Sequence, residues 1–171
     1  MPTGRSMPQE EGALRKQALP IARALNALSA HGVRTFTMRT QIGRFRIQKT
    51  VYLLRHAGYR PAQRFEFNIY HMGPYSPDLA KIYYLLGDDG IRAAGSADDI
   101  PANVIELIEE VSTKPDQFLE GLTTLLDVRS QTPTAASALA QSRYIKPHLS
   151  DSVWKEVRAF LQEHPALITA T

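Results

Sequence analysis

The sequence predicts an α+β domain that is mostly helical, with about six helices and one short two-stranded β element. Three observations predict it. Apolar residues recur at helical spacing over most of the chain, a single stretch (residues 64–72) alternates, and Gly and Pro punctuate the helical runs. With 171 residues, 43% of them hydrophobic and 22% charged, the chain has the size and composition of one folded core.

Residues 1–8, MPTGRSMP, read as a disordered lead-in, and residues 9–171 as a single domain. From residue 9 to about 30, Leu14, Ala18, Ile21, Leu25 and Leu28 share one helical face. Pro20 predicts a kink there or a start close by, and Gly32 predicts the end. Residues 33–43 have no clear period and read as a connection or short strand. Residues 44–58, RFRIQKTVYLLRHAG, form the next helix, with Ile47, Val51 and Leu54 on its apolar face, Leu53 on the flank of that face and Gly58 as its stop. Residues 59–63 turn around Pro61.

In residues 64–72, Phe65, Phe67, Ile69 and His71 alternate with Glu66, Asn68, Tyr70 and Met72, which predicts a strand. Gly73-Pro74 breaks it. Ser76 is placed to cap a helix, Pro77 to fill its first turn and Asp78 to meet its dipole. That helix buries Leu79, Ile82, Tyr83 and Leu86, and GDDG at residues 87–90 ends it. Residues 91–94 are expected to be a second strand pairing with the first. The resulting order, strand, turn, helix, strand, is one a winged helix has. Further helices carry Val104, Leu107, Ile108 and Val111; Phe118, Leu122, Leu125 and Leu126; an Ala-rich stretch after Thr132-Pro133; and Trp154, Val157 and Leu161 in a last helix from Ser150 to about His164.

The chain contains no cysteine, which excludes disulfides, thiolate catalysis and Cys-ligated zinc. No G-x-S-x-G, Gly-rich phosphate loop or H-E-x-x-H occurs, and the five His are dispersed at 31, 56, 71, 148 and 164. Ser76 reads as a cap and not a nucleophile, and His71 as a half-buried strand residue. A hydrolase would have to use His71 with Asp78 or Glu66. No catalytic, cofactor or metal residue is assigned, and a non-enzymatic protein is expected. No apolar run reaches membrane-spanning length and no signal-peptide pattern opens the chain, so a cytoplasmic location is expected.

Charge is uneven. Residues 1–64 carry 12 Lys/Arg against two acidic residues (+10), and residues 65–171 carry 8 against 15 (−7). A basic first half suits nucleic acid or an acidic partner. Arg39, Arg44, Arg46, Lys49, Arg55, Arg60 and Arg64 are the candidate phosphate or partner contacts. Tyr75 and Tyr84 join them as candidate interface anchors, because Tyr and Arg supply most such anchors.

The helix IQKTVYLL (residues 47–54) followed by GPYSPDL (residues 73–79) resembles the Panacea (SocA-like) antitoxin domain, and most closely its uncharacterised YwgA-like branch in bacteria. The likeness covers residues 44–86 and continues loosely through 118–127 and KPHLS at 146–150. Thr50 stands where the family usually has an aliphatic residue. The resemblance implies a helical, prokaryotic protein-binding domain that neutralises a toxin encoded beside it or delivers it as an adaptor, with no catalytic residues. A nucleic-acid-binding regulator using the basic first half is the alternative. In either reading Gly73, Pro74, Ser76, Pro77 and Asp78 serve as turn and cap.

Overall fold

The computed structural model describes residues 7–33 and 35–169. Residues 1–6 of the expected lead-in lie outside the described residues, and Met7 and Pro8 already belong to the first helix. Among the described residues there are eight α-helices and one antiparallel strand pair.

Helix α1 (Met7–Ala30) is continuous across Pro20, and its apolar face begins in earnest at Ala18. Its N-terminal half is exposed apart from Leu14, so only the second half is held by packing. Gly32, at φ +91°, turns the chain out of the helix.

Helix α2 (Gln41–His56) starts three residues earlier than its apolar pattern predicts, because the Thr40 side chain accepts from the Gly43 N–H at 2.9 Å and caps it. Eleven of its sixteen residues are buried, including Arg46, Gln48, Lys49 and Thr50, which makes it a central helix and not the amphipathic surface helix its charges suggest. A single 3-10 turn, Arg60–Ala62, forms around Pro61.

Strand β1 spans only Asn68–Tyr70, and its partner is β2, Gly73–Tyr75, with Asn68 opposite Tyr75 and Ile69 opposite Pro74. The expected pairing with residues 91–94 is therefore corrected: they are helical. The Gly-Pro pair that looked like a strand breaker is itself a strand, on an edge where the missing Pro N–H costs no ladder bond. The order is thus strand, strand, helix, and the arrangement that suggested a winged helix is not present among the described residues.

Helix α3 (Pro77–Ala93) opens as the sequence dictates, with the Ser76 hydroxyl accepting from the Leu79 N–H at 3.3 Å. It breaks at Gly87 (φ +63°, ψ +177°) and resumes for residues 88–93, so the GDDG stretch bends the helix instead of ending it. Then follow α4 (Ala102–Ser112), α5 (Asp116–Gln131), α6 (Ala135–Ile145), α7 (Asp151–Glu163) and the short α8 (Ala166–Thr169).

Helix α5 packs against α2, α6, α7, α8 and β2, while α1 packs against α3 and α4. The core therefore sits around α2 and α5, where Ile47, Val51, Leu54, Phe118, Leu122 and Leu126 are all 2% exposed or less. Gly121 allows α7 its close approach, since a Cβ there would lie 3.4 Å from Val153 and from Val157.

Candidate binding cleft

The β hairpin is held from beneath by side chains that hydrogen-bond its backbone. On α2, Gln48 clasps Ser76 at two points: its Nε2 donates to the Ser76 carbonyl at 2.9 Å, and its Oε1 accepts from the Ser76 N–H at 2.9 Å. The next residue, Lys49, donates from Nζ to the Pro74 carbonyl at 2.7 Å. From the end of α6, Lys146 Nζ donates to the carbonyls of Tyr70 (2.6 Å) and His71, and it pairs with Glu120 at 3.3 Å. Glu120 also meets His148 Nε2 at 3.0 Å.

Lys49, Lys146 and Gln48 are each 2% exposed. Two lysine side chains and one amide thus hydrogen-bond the backbone of the hairpin and of Ser76 from below.

The packing is tight enough to specify residues. Gly73 has φ +90°, and a Cβ there would stand 3.0 Å from Thr124 Oγ1 and 3.3 Å from Lys49 Nζ. Burial pushes the Lys49 ammonium down to about 7; the Glu120 and Asp127 carboxylates oppose this and Lys146 reinforces it. Burial also raises the Tyr83 hydroxyl to about 12.

Above this floor opens a cleft of about 290 Å³ between the start of α2, the hairpin and α3. Its walls are Gln41, Arg44 and Phe45 from α2, residues 70–73 and Tyr75 from the hairpin, and Tyr83 and Tyr84 from α3. Tyr70 packs edge-on to Tyr75 with ring centroids 5.3 Å apart, and Tyr83 lies against Tyr84 at 5.1 Å. Tyr70, Met72 and Tyr84 are nonetheless 49%, 40% and 59% exposed, three of the five large exposed hydrophobics among the described residues. Every charged or titratable lining group is basic or phenolic; no carboxylate enters the lining.

The sequence-predicted residues separate into groups. Tyr75, Tyr84 and Arg44 do line the cleft, with Arg44 Nη1 also bonded to the Met38 carbonyl at 2.9 Å. Lys49 reaches it only from the buried floor. Arg46 is not a surface contact: it is 8% exposed, pairs with Asp116 at 2.6 Å and donates to the carbonyls of Ser112 and Lys114. Arg55 is half-buried beside Asp127, and Arg64 is bonded to the Gln17 carbonyl and lies over the Phe65 ring. Arg39 is exposed and lies 3.5 Å from Asp88, and Arg60 is exposed beside the Pro61 turn. The seven basic residues therefore do not share one face as free charges.

His71, expected to be half-buried, is exposed at the hairpin tip, and among the described residues no hydrogen bond joins its side chain to a carboxylate. Ser76 is fully buried and serves as a cap, which removes it as a nucleophile. Met72, Gln41, Tyr70 and the gripping Lys146 and Glu120 were not singled out from the sequence. The signal for Glu120 was a lone acid in the otherwise apolar helical stretch FLEGLTTLL, and Lys146, after the end of α6, carried none.

Comparison with protein-family models, curated proteins and solved structures yields no match. No helix among the described residues is long and apolar enough to cross a membrane.

Proposed function

We propose that this chain is a non-enzymatic protein-binding domain and that its docking surface is the aromatic cleft over the β hairpin. The observation that carries this reading is the exposure of Tyr70, Met72 and Tyr84 around a preformed cleft whose floor is fixed by buried hydrogen bonds. Aromatic side chains around a pocket suit interface anchors because they bury large area with little loss of freedom, and a flexible Met beside them adapts to the shape it meets. The lining offers Arg44, Lys49 and His71 but no carboxylate, so the complementary partner inserts an apolar side chain flanked by an acidic residue.

The resemblance of residues 47–54 and 73–79 to Panacea domains gives this reading its specific form, an antitoxin or adaptor that masks a toxin. The clasp of Gln48 on Ser76 and of Lys49 on Pro74 supplies a physical reason for those two short segments to occur together. The nucleic-acid alternative has less support, since Arg46, Lys49, Arg44 and Arg64 are bonded to the protein's own carbonyls.

Co-expression with the neighbouring gene tests the proposal. A neighbour that is toxic alone, harmless with this chain and co-purified with it is the expected outcome. Replacing Met72 and Tyr84 together by Ala should abolish both rescue and co-purification, whereas Arg60→Ala should leave them intact. A harmless neighbour with no co-purifying protein, or full rescue by the double variant, overturns the reading.

A further inference from the structure

A second groove, of about 410 Å³, lies between α5, α6, α7 and α8 and shares no residue with the hairpin cleft. Its floor is aliphatic, built from Leu125, Leu126, Leu139 and Leu161. Two arginines also line it, Arg129 from α5 and Arg158 from α7. Among the described residues neither arginine has an ion-pair partner. Arg129 donates one Nη1 bond to the Thr132 carbonyl at 3.1 Å, and its Nε is buried with no hydrogen-bond partner.

Among the described residues no carboxylate lines the groove. Asp127, two residues before Arg129, is turned to another set of groups, lying in the field of Arg55 and Lys49 and beside Tyr52.

A guanidinium with no anion beside it presents its Nη groups to a carboxylate in charge-assisted hydrogen bonds. The leucine floor accepts an apolar chain and nothing polar. The volume is that of a small-molecule site, too small for a folded partner.

We propose that this groove binds an amphipathic carboxylate, a medium-chain aliphatic acid, with its head between Arg129 and Arg158 and its chain on the leucine floor. Neither charge nor chain suffices alone: the carboxylate answers the two arginines, and the chain lies along the groove's apolar wall, where Leu139 and Ile168 are only half-buried.

The test is calorimetric titration of the purified full chain with sodium decanoate below its micelle concentration, beside decanol and sodium acetate as separate arms. Saturable one-to-one binding of decanoate is expected, with decanol and acetate each at least about tenfold weaker. Arg158→Gln lies at an exposed position and should fold normally; it should weaken decanoate about tenfold and leave decanol unchanged. Arg129→Gln should act the same way, and if it fails to fold, Arg158→Gln alone decides. Equal binding of decanol and decanoate, no binding at all, or unaltered decanoate affinity in Arg158→Gln overturns the proposal. None of these results bears on the hairpin cleft, which is tested by partner rescue.

Discussion

Gly73 shows how much one residue can be required to do. Its φ of +90° is open only to glycine at low cost, and the space where a side chain would begin is taken by Thr124 Oγ1 and Lys49 Nζ. Gly73→Ala should therefore destabilise the protein by at least about 2 kcal/mol, measured by urea unfolding. A loss under about 0.5 kcal/mol would mean that the hairpin shifts freely, which the buried clasps argue against.

Lys49 supplies a pH prediction. Below pH 7 both folded and unfolded states keep its proton, and the folded state bears the whole cost of burying a cation. Between about 7 and its ordinary 10.5 the folded state has released the proton and the unfolded state has not. The unfolded chain then binds more protons, so stability rises with pH. Urea midpoints should accordingly climb from pH 7 to 9 in the native protein and climb less in Lys49→Met. Parallel curves for the two proteins would refute the assignment.

At the scale of elements, the hairpin and the start of α3 form one mechanical unit. The strand alternation in residues 65–70 was legible, with Phe65, Phe67 and Ile69 turned inward as expected. Its pairing partner was not, because Gly73 and Pro74 carry the composition of a breaker and only Lys49 and Gln48, beneath the strand, make it worthwhile to extend them. The Ser76-Pro77-Asp78 start of α3 was fully legible, since a cap is a local interaction. Ser76→Ala should lose about 1 kcal/mol of stability.

Lys146→Met should act differently from the cap variant. It would leave the Tyr70 and His71 carbonyls and the Glu120 carboxylate without their common donor. Amide exchange across residues 69–75 should accelerate at least about tenfold, with that of residues 47–54 in α2 unchanged. Equal acceleration in both segments would show that Lys146 supports the whole core and not the hairpin.

For the whole molecule, α5 joins α2, β2, α6, α7 and α8, which ties the C-terminal helices to the centre of the fold. The one Trp, Trp154 on α7, is 2% exposed and packs in the core. Its fluorescence and the far-ultraviolet circular dichroism should give coincident urea transitions. Gly121→Leu, which forces α7 off α5, should lower both midpoints together by about 1–3 kcal/mol of stability. Separated transitions would mean that α6–α8 unfold as an independent unit. The uneven charge along the chain has a matching explanation at this scale: Arg46 of the basic half meets Asp116, and Lys49 lies in the field of Glu120 and Asp127 of the acidic half.

What the sequence determined alone is whatever depends on neighbours in the chain: the helical class, the inward faces of α4, α5 and α7, and the capped start of α3. Helical periodicity and capping are short-range, so they can be read without knowing what lies across the core. Tertiary structure decided the rest. It made α2 central, and so turned Arg46, Gln48 and Lys49 from a charged surface into internal donors for carbonyls up to 68 residues away. It paired β1 with the Gly-Pro segment, and it gathered Tyr70, Met72 and Tyr84 around one opening. Burial depends on how many elements surround a helix, and no local pattern records that number.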